Sequence, residues 1–279
     1  MQNIILKGSD VAASINEEII KKLKDCKKIP ELAIIRVGEK PDDLAYERGA
    51  VKRLDKVGMK HTLFTFDETI SNDDFLAEFD RINSDDGIDG ILLLRPLPRH
   101  INEKEVENRI LPSKDVDGIS PVNMAKVYAA DDTGFAPCTA EAVIEALKYA
   151  HIDLSGKNVT VIGRSLVIGK PAAMLLIKNN ATVTVCHTKT ADLPGKCRNA
   201  DIIIAAAGKA KMVTSDYVRD GQIIIDVGIN ADEEGNLCGD VDFEEVSKKA
   251  SVITPVPGGI GSVTTSVLAK HLLRAAADS

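Results

Sequence analysis

The chain has 279 residues, 44% hydrophobic and 28% charged, with 20 glycines and 11 prolines, a globular profile with room for two domains. Its net charge of -7 argues against a nucleic-acid partner, which would need a basic face. Five scattered cysteines without a C-x-x-C pair point away from a disulfide framework or zinc site, and no apolar run approaches the ~18 residues of a membrane span, so a reducing cytoplasm and no membrane contact are expected.

The first residues lack the charged n-region and long apolar core of a secretion signal. Val11, Ile15, Ile19 and Leu23 then recur at helical spacing and predict a helix over 9–26, with Ser9 as its cap. Strand-like runs follow at 32–37, 62–66 and 90–94, separated by helical patterns at 42–57, closed by Gly58, and at 72–83. Strands alternating with helices of this length imply βαβ units and a parallel sheet. The segment Arg95-Pro96-Leu97-Pro98 ends the third strand abruptly. Residues 111–138 lose the periodicity and read as the connection between domains. Beyond them Thr139 is expected to cap a helix that turns Val143, Ile144 and Leu147 inward. Strands follow at 158–162, 181–186, 201–205, 222–227 and 251–254, and a last helix at 264–277. The fold class is therefore α/β with two domains. An N-terminal βαβ-type parallel-sheet domain is expected over 1–138, completed by the C-terminal helix at 264–279, and a doubly wound, Rossmann-like nucleotide-binding domain over 139–263.

The most informative segment runs from Val159 to Pro171. A buried strand enters a turn bounded by Gly163 and Gly169 and then opens a helix, leaving backbone N–H groups where a pyrophosphate would be stabilised. The two glycines enclose five residues, and the middle glycine of the usual dinucleotide fingerprint is absent. Arg164 puts a fixed positive charge in the turn itself. The next strand ends Cys186-His187-Thr188-Lys189, with no carboxylate where an NAD-binding sheet usually carries one for the ribose hydroxyl. Arg164 and the Thr188 hydroxyl both suit a 2′-phosphate, so the residues lean toward NADP, with NAD as the alternative. The bland reading makes Arg164 a solvated loop residue and Thr188 a turn former.

An ordered set of short motifs spans the chain. It runs from Val37-Gly38 with Tyr46 downstream through Pro96-Leu97-Pro98, Lys114-Asp115-Val116-Asp117-Gly118 and Pro137-Cys138-Thr139. It continues with Gly163-Arg164-Ser165, Asp226-Val227-Gly228-Ile229-Asn230, Gly239-Asp240-Val241-Asp242 and Thr254-Pro255-Val256-Pro257-Gly258-Gly259. Together these resemble the methylenetetrahydrofolate dehydrogenase/cyclohydrolase family nearly end to end. The resemblance implies oxidation of 5,10-methylene- to 5,10-methenyltetrahydrofolate with NADP or NAD, and in many members hydrolysis onward to 10-formyltetrahydrofolate. It implies a homodimer and a folate cleft between the domains, lined by Tyr46, Asp117, Pro257, Gly258 and Gly259. Gly163, Arg164, Ser165, Thr188 and Ile229 would line the cofactor.

By the same resemblance Tyr46 and Asp117 are the catalytic candidates, Tyr46 stacking on the aminobenzoate ring and Asp117 accepting hydrogen bonds from the pterin edge. Without it, Tyr46 reads as a packing or surface residue, Asp117 as part of a turn with Gly118, and Pro255–Gly259 as a rigid loop. Asp240-Val241-Asp242 reads as a turn and helix start, since no histidine or third carboxylate stands at metal spacing, and no metal is expected.

The family more often has a serine at Thr188 and Gly-Pro-Met-Thr after Gly259, and two further departures fall at positions associated with the hydrolysis. One helical turn after Tyr46 stands Ala50, where bifunctional members carry a lysine. Two residues before Pro96 stands Leu94, where they carry a glutamine. Hydrolysing the methenyl bridge needs water attack and proton transfers, worth typically ~10²–10⁴-fold, which alanine and leucine cannot supply. Hydride transfer asks mainly for position and electrostatics. The expectation is a dehydrogenase with weak or lost cyclohydrolase activity. Its competitors are a noncatalytic folate- and nucleotide-binding homologue and a two-domain dehydrogenase of the shikimate or malic type.

Overall fold

In the computed structural model, which describes residues 4–277, the first half runs β1 (Ile4–Ile5), α1 (Gly8–Leu23), β2 (Glu31–Val37), α2 (Pro41–Val57), β3 (Lys60–Phe66), α3 (Asn72–Asn83), β4 (Gly90–Leu93), α4 (Glu103–Arg109) and α5 (Pro121–Tyr128). It continues with α6 (Cys138–Tyr149), β5 (Asn158–Ile162), α7 (Gly169–Lys178), β6 (Thr182–Cys186), α8 (Leu193–Arg198) and β7 (Ile202–Ala205). The remainder is β8 (Ile223–Asp226), β9 (Asn230–Ala231), β10 (Leu237–Cys238), α9 (Phe243–Val246), β11 (Val252–Ile253) and α10 (Gly261–Ala277). The chain divides into two units: residues up to Ser14 with Thr139–Thr264, and Ile15–Cys138 with the residues from Thr265 onward.

The unit built on Ile15–Cys138 contains three parallel strands in the order β3-β2-β4. The central strand β2 is buried from Leu32 to Val37, as expected of a parallel strand covered on both faces. Along α3, Phe75, Phe79 and Ile82 recur at helical spacing and join Ala33, Ile35, Ile91 and Leu93 in one apolar cluster. Ser71 sets the start of that helix, its Oγ accepting from the Asp74 amide at 3.1 Å.

Sequence periodicity did not foresee α4 and α5. The first is seven residues long and buries only Val106, too little for a period to show. The second lies inside the stretch read as irregular. Its start was legible, since Ser120 Oγ accepts from the Asn123 amide at 3.1 Å and Pro121 follows, but only Asn123 and Val127 are buried along it. Two expected caps are also displaced. Ser9 lies within α1 and its hydroxyl donates to Asp10, while α6 begins at Cys138 and takes Thr139 into its first turn.

The other unit carries six parallel strands in the order β1-β11-β8-β7-β5-β6. From β5 the chain winds outward to β6, then returns to the opposite side of β5 for β7 and β8. The winding therefore reverses at β5, the switch point of a doubly wound sheet. Its edge strand β1 corrects the expected domain boundary. Ile4 and Ile5 pair with Val252 and Ile253, so the chain's start belongs to this sheet and not to the domain that follows it. Two residues carry no period, and only the pairing reveals the strand. The small β9–β10 antiparallel pair was likewise unforeseen. All five cysteines are free thiols, and among the described residues no helix is long and apolar enough to cross a membrane.

Candidate active site

Tyr46 is held by the helix that carries it. From β2, Arg36 Nε donates to the Glu47 carboxylate at 2.8 Å, with both side chains almost wholly buried, and another guanidinium N–H donates to the Gly38 carbonyl. Two turns further along α2, Arg53 Nε donates to Thr265 Oγ1 at 3.2 Å. These bonds fix the rotation of α2. Burial, then the neighbouring Asp117 and Cys138, push the Tyr46 hydroxyl well above the ordinary phenol range. It is a neutral hydrogen-bonding group and an aromatic face, not a base.

Asp117 sits on a turn built by its neighbour. The fully buried Asp115 carboxylate accepts from the amides of Ile119 at 2.9 Å and Ser120 at 2.8 Å, and from Asn123 Nδ2 at 2.9 Å. Gly118 is required at the turn: its φ is +63°, and a Cβ there would lie 2.4 Å from the Phe135 carbonyl oxygen. Asp117 is left half-buried, one oxygen accepting from the Cys138 amide at 3.2 Å. Burial raises its carboxyl, while the Cys138 bonds and the Arg95 charge pull it back.

Two neighbours of this site escaped sequence reasoning. Cys138 donates its Sγ hydrogen to the Val116 carbonyl at 3.3 Å, with His271 Nδ1 at 3.7 Å. Arg95 pairs with Glu107 at 2.7 Å, and the nearby Glu103 accepts from the Leu97 amide at 2.8 Å, so α4 braces the Pro96–Pro98 loop. The adjacency of Arg95 to that loop was its only local signal. Ala50 is 0% exposed and Leu94 5%, and the Leu94 amide donates to the Ile35 carbonyl at 2.9 Å. Both departures are sealed into packed structure.

In the six-stranded unit the Gly163 turn is shaped by close backbone approach. A Cβ on Gly163 would lie 2.1 Å from the Ala206 carbonyl oxygen, and one on Gly169 would lie 2.3 Å from that of Gly163. Pairing of Ile162 with Cys186 puts Arg164 and Thr188 at matching positions, two residues past the ends of adjacent strands, and both are exposed. His187 shapes the second loop, its amide donating to Thr190 Oγ1 at 2.8 Å and its Nδ1 accepting from the Lys189 amide at 3.1 Å.

One expectation fails here. The first N–H groups of α7 are not left open: Ser165 Oγ accepts from Ile168 at 3.1 Å and Gly169 at 3.5 Å, and its carbonyl accepts from Lys170 at 3.0 Å. Ser165, four residues before α7, therefore takes up the amides that lead into the helix, although the N-cap position itself is Ile168. The exposed Arg164 adds a positive side chain to the same turn.

Ile229 is 67% exposed beyond β8. Pro257 and Gly258 are exposed and Gly259 buried. Their loop is braced by the Gly8 amide, which donates to the Gly258 carbonyl at 2.8 Å, and by Ser262 Oγ, which donates to that of Gly259 at 2.7 Å. Tyr46 and Asp117 thus share one unit, while Gly163, Arg164, Ser165, Thr188, Ile229 and Pro257–Gly259 belong to the other.

Residues 6–117 match the tetrahydrofolate dehydrogenase/cyclohydrolase catalytic domain, and residues 137–279 match the NAD(P)-binding domain of the same family. The chain belongs to the tetrahydrofolate dehydrogenase/cyclohydrolase family. It is 52% identical to the bifunctional protein FolD of Clostridioides difficile over 274 residues, 97% of this chain and 96% of that one. The crystal structure of the bifunctional FolD dehydrogenase/cyclohydrolase from Campylobacter jejuni superposes with a TM-score of 0.95 at 42% identity, covering 99% of both chains. That of the Trypanosoma brucei enzyme, complexed with NADP cofactor and inhibitor, gives 0.92 at 33%, covering 100% of this chain and 99% of that one.

Proposed function

We propose that this chain oxidises 5,10-methylenetetrahydrofolate to 5,10-methenyltetrahydrofolate with NADP, and that its cyclohydrolase activity is weak or lost. The observation that carries the proposal is the pair Ala50 and Leu94. Both are buried and apolar, one of them a helical turn from Tyr46, at positions where the bifunctional pattern has lysine and glutamine. Neither can move a proton or orient water.

The residues present fit the cofactor. An exposed arginine and a hydroxyl stand past adjacent strand ends with no carboxylate between them, which favours a phosphate over a free ribose hydroxyl. Bound NADP supplies the hydride acceptor. Arg164 and Thr188 hold its 2′-phosphate, Gly163 lets the backbone come close, Ser165 keeps the turn closed, and Ile229 adds an apolar contact. Tyr46 stacks on the aminobenzoate ring, Asp117 accepts from the pterin edge, and Pro257, Gly258 and Gly259 form a second substrate contact.

As the hydride leaves the methylene carbon, the lone pair of a folate nitrogen fills in, so no protein base is needed. NAD remains a usable second cofactor, bound without the phosphate contact. The exposed Val185 on edge strand β6 and Ile177 on α7 support a homodimer, and the free thiols suit a reducing cytoplasm. Sedimentation at the monomer mass of 30.0 kDa under assay conditions would refute the dimer.

The deciding assay gives purified protein methylenetetrahydrofolate with NADP or NAD and follows reduced nicotinamide and methenyltetrahydrofolate separately. Both products should rise together, and the methenyl form should persist. Formyl product appearing as fast as reduced nicotinamide would overturn the loss of hydrolysis. Reduction of neither cofactor would leave a noncatalytic binding homologue.

A further inference from the structure

Two buried carboxylates tie together the loops that follow β7 and β8. Asp240, 0% exposed, accepts four hydrogen bonds: from the backbone amides of Ala207 at 2.5 Å, Gly208 at 3.1 Å and Lys209 at 2.8 Å, and from Asn230 Nδ2 at 2.9 Å. Asp226, 3% exposed, accepts from the amides of Gly228 at 2.9 Å, Asp240 at 3.1 Å and Val241 at 2.9 Å. The space around them is closed. A Cβ on Gly228 would lie 2.4 Å from Asp240 Cγ, and one on Gly239 would lie 1.9 Å from Asp226 Oδ2. Three successive N–H groups converging on one carboxylate make an anion nest, here filled by the chain's own side chain.

The loops so held are not arbitrary ones. Ala206, the residue before the nest, presents the carbonyl against which Gly163 closes, 2.1 Å from where a Cβ would stand. The fourth donor, Asn230, adjoins the exposed Ile229. Asp240 therefore governs the height of one loop beside the β5–β7 switch point and the path of the segment after β8, the region where doubly wound sheets receive a dinucleotide.

We propose that Asp240 is a positioning residue for the cofactor, holding Ala207–Lys209 and Ile229–Asn230 in the arrangement that receives the dinucleotide, with Asp226 holding Asp240 in turn. This rests on the NADP-binding reading above. An ionised carboxylate has two oxygens to share among four donors, whereas an asparagine has only one and adds an N–H that would face them.

The test compares wild type, Asn230→Ala and Asp240→Asn. It measures NADP affinity by direct titration, the KM values for NADP and methylenetetrahydrofolate, and the thermal midpoint. Asn230→Ala should weaken NADP by roughly three- to tenfold and Asp240→Asn by more than about tenfold, with the folate KM within about twofold of wild type. Folded variants with wild-type NADP affinity would overturn the proposal, as would equal losses for both substrates, the mark of a merely structural role. If Asp240→Asn does not fold, Asn230→Ala decides alone. A wild-type protein that binds no NADP would sink the functional reading, and this inference with it. Normal wild-type binding with unaffected variants would sink the inference only.

Discussion

The two units solve their tasks with different parts of the chain. In the six-stranded unit, the candidate cofactor region is shaped by backbone: glycines with no room for a Cβ, a serine that takes up the amides leading into α7, and buried carboxylates gathering amides. In the other, the candidate substrate region is shaped by side chains on a braced helix and turn, Tyr46 and Asp117, with apolar Ala50 and Leu94 in the packed interior nearby. The difference teaches where chemistry can be lost cheaply. A backbone-built site cannot change a residue without moving neighbours, whereas Ala50 and Leu94 satisfy packing as they are. One reaction can therefore disappear while helix and sheet stay intact.

The largest expected effect breaks the backbone-built side. Gly163→Ala forces a Cβ into the Ala206 carbonyl and should cost about 3 kcal/mol or more of stability, read by urea unfolding, with NADP binding abolished. Wild-type stability would show that the turn tolerates displacement. Next, the double variant Ala50→Lys with Leu94→Gln should raise formyl-product formation by ~10²-fold or more while leaving dehydrogenase turnover of the same order. A folded double variant without that gain would show that these two positions do not limit hydrolysis.

Arg164→Ala should weaken NADP by ~1.5–3 kcal/mol and NAD far less, since it removes a charge-assisted phosphate contact. Equal losses for both cofactors would mean that Arg164 does not read the phosphate.

The smallest effect concerns Asp226, whose carboxyl burial pushes from its ordinary 3.8 up to about 6, against the three backbone amides that favour the ionised form. Near pH 5 the folded chain holds a proton there that the unfolded chain has released. Its stabilising contribution is complete below 3.8 and is lost as pH rises through about 6. Comparing Asp226→Asn with wild type by urea unfolding at pH 4.5 and 7 should reveal a slope of on the order of 1 kcal/mol per pH unit that the variant lacks. Identical slopes would show that Asp226 stays ionised throughout.

Much of this was legible before folding was considered. Apolar runs marked β2, β4, β5, β7 and β8, helical spacing marked α2 and α3, and the alternation of the two identified parallel α/β sheets. The i, i+4 relation of Tyr46 to Ala50 follows from helix geometry alone, so the presence of an alanine on the tyrosine's face of the helix could be read directly from the chain. The tertiary structure decided what has no local spacing. It decided that Ile4 and Ile5 join the second sheet, that Ser165 takes up amides leading into α7, and that Cys138 and Arg95 neighbour Asp117. It also decided that Asp240, read from sequence as a turn, reaches back 31 to 33 residues to gather the amides of Ala207–Lys209. Consecutive residues record the period of a helix or strand because those shapes arise among neighbours. A carboxylate meets an amide so distant in the chain only after parallel strands have brought their carboxyl ends together.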